Sequence, residues 1–273
     1  MIFSVSPTGK LLFYSKITLK WIFVGGKGGV GKSMVTSLLA SKFMQMGKRV
    51  AILDADITGP SIPKAFGIEG ERIAATEDGL LMFPSETKNG IEIMSANLLL
   101  ENSTDPIVWR GALIATAVKQ FYEETIWQDI DYMFVDMPPG TGDIHISLLQ
   151  DVPVNGAVIV TTPQDVALAD VEKGVNMFQN PSIGKPILGL VENMAWFTPE
   201  ELPENRYYIF GKDGGARMAE KLGITLLGQI PIVQSIRESG DSGEPAALGS
   251  RPDSLAFLDL ARAVDAEASK IQD

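Results

Sequence analysis

The stretch Gly25-Gly26-Lys27-Gly28-Gly29-Val30-Gly31-Lys32-Ser33 gathers the residue types that hold a phosphate. Gly26, Gly31, Lys32 and Ser33 fit the spacing G-x-x-x-x-G-K-[ST] of a phosphate-binding loop, and Lys27, Gly28, Gly29 and Val30 fill it. Glycines let successive backbone N–H groups turn toward one anion. Lys32 is expected to reach the β- and γ-phosphates of a nucleotide, and the Ser33 hydroxyl to bind Mg2+. The apolar run Trp21-Ile22-Phe23-Val24 precedes the loop and a helical pattern follows. That order of strand, loop and helix points the positive end of the helix at the phosphates.

Ligands in open α/β sheets sit at the carboxyl ends of strands. Further polar stations fall at such ends: Asp54-Ala55-Asp56, then Asp136-Met137-Pro138-Pro139-Gly140-Thr141-Gly142-Asp143, then Glu192-Asn193-Met194. One strand-end aspartate alone reads as a turn or cap. Together with a phosphate loop, the set reads as phosphoryl-transfer chemistry. Asp136 is expected to hold Mg2+, with Asp54 supporting the metal shell. The N–H of Gly140 is placed to meet a γ-phosphate, in a glycine- and proline-rich loop able to take two arrangements.

The elements that must position these residues follow from periodicity. Strands are expected at Trp21–Val24, Arg49–Leu53, Leu80–Phe83, Ile91–Ser95, Tyr132–Val135, Ala157–Thr161, Ile187–Val191 and Leu226–Ile230. Helices are expected at Ser33–Met46, Trp109–Trp127, Val166–Phe178 and Ser254–Ile271. This alternation predicts an α/β fold, a mainly parallel twisted sheet with helices on both faces. No linker divides the chain, so residues 1–273 are expected to form a single domain. Residues 1–19, an N-terminal extension, read as either an extra edge strand or the remnant of something longer.

Lys27 inside the loop gives Lys-Gly-Gly-Val-Gly-Lys, which resembles the deviant Walker A motif of the MinD, ParA and nitrogenase iron-protein superclass of P-loop NTPases. The resemblance implies an ATP-bound homodimer, with Lys27 crossing to the partner's nucleotide. It also implies that Asp136 is the Walker B aspartate and that Asp56 orients or deprotonates the attacking water. Asn193 would read adenine through its amide, or else serve as a strand-end turn residue, and Pro231-Ile232-Val233 would line the base. The Asp54–Ser61 block, the Asp136–Asp143 block, Glu192-Asn193-Met194, Tyr208-Ile209-Phe210-Gly211 and Gly240-Asp241-Ser242-Gly243-Glu244-Pro245 are similar to the Mrp/ApbC (Nbp/Ind-type) iron–sulfur cluster carrier ATPases. That family implies ATP and Mg2+ as cofactors, a shared [4Fe–4S] cluster as cargo, and iron–sulfur apoproteins or assembly factors as partners.

Two departures qualify the resemblance. The family's cysteine pair after Asn-Met is replaced by Trp196-Phe197-Thr198-Pro199-Glu200-Glu201-Leu202-Pro203, and the chain holds no cysteine at all. Disulfides, thiolate catalysis and a thiolate metal site made by this chain alone are thereby excluded. Many bacterial members also carry a small N-terminal domain, whereas 19 residues precede Lys20 here.

The net charge of −11 argues against nonspecific binding to nucleic acid. No apolar run is long enough to span a membrane. The C-terminal helix mixes Asp259, Asp265 and Glu267 with Arg262 and Lys270, unlike a basic membrane-surface anchor. A cytoplasmic location without a membrane partner is expected. His145, the only histidine, has no companions for a metal site and reads as structural or surface. Trp196, Phe197, Tyr207 and Tyr208 read as either an exposed interface or ordinary core. The main reading is a slow, homodimeric, Mg2+-dependent ATPase of iron–sulfur cluster assembly or delivery; the alternative is a nucleotide-controlled protein-binding switch without a cluster, and a third is a P-loop ligase or kinase, for which no residue marks an acceptor.

Overall fold

The computed structural model describes residues 2–5, 11–14, 19–57, 59–99, 111–199, 201–243 and 252–271. Thr58, Trp109, Arg110, Glu200, Glu244 and Pro245, which belong to the motifs and expectations above, lie outside these. The first half of the chain forms β1 (Ile2–Val5), β2 (Leu11–Tyr14), β3 (Lys20–Gly26), α1 (Lys32–Gln45), β4 (Val50–Asp54), α2 (Ile62–Ala65), β5 (Ala74–Ala75), β6 (Met82–Phe83), β7 (Ser85–Glu86), β8 (Glu92–Ser95) and α3 (Gly111–Glu123). The second half forms β9 (Tyr132–Asp136), α4 (Asp143–Asp151), β10 (Gly156–Thr161), α5 (Asp165–Gln179), β11 (Ile187–Glu192), α6 (Gly214–Leu222), β12 (Leu226–Gln229), α7 (Gln234–Asp241) and α8 (Pro252–Lys270).

Among the described residues, eight strands make one sheet in the order β12-β11-β10-β3-β9-β4-β8-β7. Every neighbouring pair is parallel except β7 with β8. Burial on both faces explains the near-continuous apolar strands. Ile22, Val24, Ile52, Phe134, Val158 and Val160 face a core layer shared with Leu39 and Phe43 of α1 and Phe257, Leu260 and Val264 of α8. Trp21, Phe23, Leu53, Val135 and Ile159 face the opposite layer, shared with Phe121 of α3, Leu149 of α4 and Val171 and Phe178 of α5. Alternate residues of each strand thus serve opposite helix layers, as the two-residue strand period requires. Phe43 anchors the first layer, meeting Tyr132 and Phe134 edge-on at 4.7 and 5.1 Å between ring centres.

Three expectations change. β1 and β2 pair antiparallel as a separate two-stranded sheet, so the described part of residues 1–19 adds no strand to the main one. The expected strand Leu80–Phe83 shortens to β6, because Asp78 Oδ1 accepts from Leu80 N at 3.1 Å and from Thr76 Oγ1 at 2.5 Å, turning the chain there. The expected helix to Trp127 ends at Glu123, because Met82 recruits the following residues: Met82 N donates to Glu124 O at 2.7 Å and Ile126 N to Met82 O at 2.8 Å. Among the described residues no helix is long and apolar enough to cross a membrane.

Glu92 is a buried carboxylate away from the phosphate loop. It accepts Gln128 N at 3.2 and 3.3 Å, and burial pushes its pKa up to about 7. The unfolded chain returns it to about 4.5, so the folded state holds the extra proton between these values. The stability contributed by this group is therefore complete below about 4.5 and lost as pH rises through about 7. In chemical denaturation across that range, Glu92→Gln is expected to flatten the loss and to be the more stable form at pH ~8. Parallel pH profiles for the two proteins would contradict this.

Candidate functional site

Sheet register positions the chemistry. Val24 lies opposite Asp136, Asp136 opposite Asp54, and Asp54 opposite Ser95, while Gly26 lies opposite Val160. The loop and both aspartates therefore share the carboxyl edge of the sheet. A Cβ at Gly26 would sit 2.3 Å from Val160 O, so the loop's close approach to β10 admits no side chain. Gly31 has φ +87°, and a Cβ there would sit 2.4 Å from Asn193 Nδ2. Asn193 is buried at the end of β11, and its Nδ2 donates to Val30 O at 2.8 Å. The amide expected to face a base is thus engaged with the loop through its nitrogen.

Lys32 is buried and its Nζ donates to Lys27 O at 3.2 Å. Burial lowers its pKa, opposed by the charges of Asp136 and Asp56. Ser33 Oγ donates to Asp136 Oδ2 at 2.5 Å, and Thr36 Oγ1, one turn further along α1, lies 3.1 Å from Asp136 Oδ1. Ser95 Oγ donates to Asp54 Oδ2 at 3.0 Å, and Asp56 N donates to Asp54 Oδ1 at 3.2 Å. Both carboxylates are wholly buried. Burial pushes Asp136 up to about 6; burial, then the charge of Asp136, raises Asp54 well above the usual range.

The Asp136–Asp143 loop leaves Pro139 and Gly140 exposed. His145 is buried, and its Nε2 donates to Pro138 O at 2.9 Å, a strut for the loop rather than a surface group. Lys27 folds back on its own chain, donating to Val166 O at 3.1 Å and pairing with Asp170 Oδ2 at 3.2 Å. Glu192 turns away from the phosphate loop: Gly215 N, in the first turn of α6, donates to its Oε2, and Gln229 Nε2 donates to its Oε1 at 2.9 Å. Ile232 N donates to Trp196 O at 2.7 Å and Ala195 N to Ile230 O at 2.8 Å, which brings the Pro231-Ile232-Val233 segment beside Asn193. Phe197 and Tyr207 exchange backbone hydrogen bonds, both 2.8 Å, across the loop where a cysteine pair would lie. Tyr207 and Tyr208 are exposed while Trp196 and Phe197 are half-buried, so the aromatic group reaches the surface only in part. Thr36 and Ser95 escaped sequence reading. Helical spacing from Lys32 marks Thr36, whereas Ser95 is found only once β8 is known to neighbour β4.

A profile described as ParA, NUBPL iron-transfer P-loop NTPase, matches residues 16–265. The chain belongs to this NUBPL iron-transfer P-loop NTPase family. Its sequence is 46% identical over 241 residues to the iron–sulfur cluster carrier protein of Aquifex aeolicus, covering 87% of this chain and 64% of that protein. It is 43% identical over 236 residues to the protein of the same name from Methanocaldococcus jannaschii, covering 86% and 79%. A nucleotide-binding protein of Archaeoglobus fulgidus, solved in complex with ADP, superposes with a TM-score of 0.75 at 38% identity, covering 88% of this chain and 93% of that one. The chain thus spans just under two thirds of the Aquifex aeolicus relative's length.

The NUBPL-type loop fits a hard divalent cation. Ser33, Asp136 and Asp54 converge with oxygen ligands, burial raises both carboxylates, and the charge of Asp136 raises Asp54 further, a cost that a bound divalent cation would offset. An iron–sulfur cluster does not fit. Such clusters are held by thiolates, the chain has no cysteine, and no group of three or more His, Asp or Glu suited to a metal occurs among the described residues.

The Asn193–Gly31 contact makes a coupling test. Asn193→Ala leaves Val30 O without its donor and is expected to cost about 1–3 kcal/mol of stability. Gly31→Ala clashes with that same amide, so its cost should be smaller in the Asn193→Ala background. A denaturation double-mutant cycle with strictly additive costs would contradict the contact.

Proposed function

We propose that the chain is an ATP-binding and ATP-hydrolysing protein that works as a homodimer with Mg2+ in the cytoplasm, within iron–sulfur cluster assembly or delivery. The observation that carries this reading is the Ser33–Asp136 pair at the mouth of the glycine loop, with Lys32 buried beside it. Backbone N–H groups of Gly28, Gly29, Val30 and Gly31 would bind the β-phosphate, and Lys32 would bridge β- and γ-phosphates. Ser33, Asp136 and Asp54 would hold Mg2+, which when bound offsets charge on the phosphates. Asp56 would hold the attacking water in line and take its proton, while the N–H of Gly140 meets the γ-phosphate. Asn193 and Pro231 would frame the base, and the ADP complex of the Archaeoglobus fulgidus relative supports a nucleotide here. Lys27 would leave Asp170 and cross to the partner's nucleotide.

A second reading has a specific observation in its favour. With no cysteine, the same nucleotide cycle would recruit a partner protein and carry no cluster of its own. Clusters would then reach clients through thiolates of the partner, and the iron–sulfur apoproteins or assembly factors expected from the family remain its natural company.

Lys32→Ala is expected to lower ATP turnover at least ~100-fold, the scale of removing one preorganised charge-stabilising donor. Unchanged turnover would overturn the site. Lys27→Ala should keep ADP affinity and lose the ATP-dependent dimer in light scattering. Anaerobic reconstitution with iron and sulfide should leave no cluster absorbance while ATP hydrolysis persists; a stable cluster would instead restore the carrier reading.

A further inference from the structure

Beside the phosphate loop, on the α5 face of the sheet, lies a cavity of about 290 Å3. The backbone of Gly25–Gly28 forms one wall and the Pro139–Thr141 stretch another; Met137, Ile159, Val171, Met177 and Phe178 supply an apolar floor. Lys32, Ser33 and Asp136 do not line the cavity, whereas Lys27, Gly28 and Gly140 border both it and the nucleotide site proposed above.

Gly174 explains the space. It sits inside α5, is buried, and a Cβ added there would have no atom within 4 Å. Glycine is the poorest helix former after proline. Neither a left-handed backbone nor a close neighbour requires it at this position. What its missing side chain leaves is room. An apolar cavity of about 150 Å3 already admits benzene, and this one is nearly twice that size. The rim is charged. Lys27 Nζ and Lys173 Nζ each lie 3.2 Å from a different oxygen of Asp170, so two ammonium groups share one carboxylate and the rim keeps one net positive charge.

We propose that this cavity binds a small monoanionic amphiphile, an aryl or medium-chain carboxylate, with its apolar body in the space left by Gly174 and its carboxylate against Lys27 and Lys173. An apolar body gains by leaving water, and an anion at the rim replaces the shared Asp170 partner with one ammonium-to-carboxylate match for each lysine. Because Lys27 would then be held on α5, the ligand also slows ATP turnover; that consequence, unlike the binding, rests on the ATPase reading above.

Calorimetric titration of the nucleotide-free full chain with 2-naphthoate tests the site, with ADP titrated in parallel. Saturable binding of one molecule per chain is expected. Gly174→Leu should weaken it at least ~10-fold, about 1.4 kcal/mol, with Gly174→Ala intermediate and both variants melting no lower than the parent. The neutral 2-naphthamide should bind more weakly than 2-naphthoate, and Lys173→Ala should shrink that difference. ADP affinity of Gly174→Leu should stay within ~2-fold, since a Cβ at 174 has no atom within 4 Å and Lys32, Ser33 and Asp136 do not line the cavity. Absence of saturable 2-naphthoate binding, or equal affinity in the parent and both Gly174 variants, overturns the proposal. Loss of ADP binding by the parent chain would overturn the nucleotide reading and leave the 2-naphthoate result to stand on its own.

Discussion

Two carboxylates buried side by side are the constraint on which the rest depends. Parallel pairing sets Asp54 directly opposite Asp136 at the ends of β4 and β9. Burial raises both pKa values and the charge of Asp136 raises Asp54 further, and the fold accommodates them by supplying hydroxyls: Ser33 and Thr36 to one, Ser95 to the other. Those hydroxyls come from α1 and β8, so the helix and the strand order are tied to the electrostatics of a single pair. The nearby ammonium of Lys32 completes the set, itself disfavoured by burial. Such a site tolerates its own charges poorly, which is the condition under which an incoming cation and a polyanion together are most welcome.

The apolar runs and the glycine loop made the sheet and its carboxyl edge legible in the sequence. Trp21–Val24 and Tyr132–Val135 are uninterrupted because both of their faces are covered, and that pattern needs no tertiary knowledge. The helices α4, α6 and α7 were missed. Each is short, opening in a glycine-rich or polar stretch, and α6 begins at Gly214-Gly215 with Glu192 from a distant strand meeting its first turn. That support is non-local, so no periodicity announces it. Asn193 shows the same limit at the site. Its type and strand-end place could be read, but the partner of its amide, Val30 O, is fixed by β11 lying two strands from β3.

Membership of the NUBPL iron-transfer family and the absence of cysteine pull in different directions only if the cluster loop and the nucleotide loop are one device. In this chain they are separable. Phe197 pairs with Tyr207 across the ends of the 198–206 loop, and Arg206 stacks on Trp196 at 4.3 Å. Backbone pairing and a cation–aromatic contact join its two described ends without thiolates, while the phosphate loop draws its geometry from Val160 and Asn193. The loss of cluster ligands therefore leaves the phosphate side structurally intact.

The hydrogen bond from Asn193 to Val30 has one more consequence. Glycine-rich segments are the most mobile in an unfolded chain, and ordering one carries a large entropic cost. Here part of that ordering is supplied by the sheet, because the amide at the end of β11 holds the Val30 carbonyl. The loop is braced by the protein itself, at Val30 and where Gly26 approaches Val160. Its encounter with a polyanion should be governed by diffusion and charge, with little heat-capacity change from loop folding.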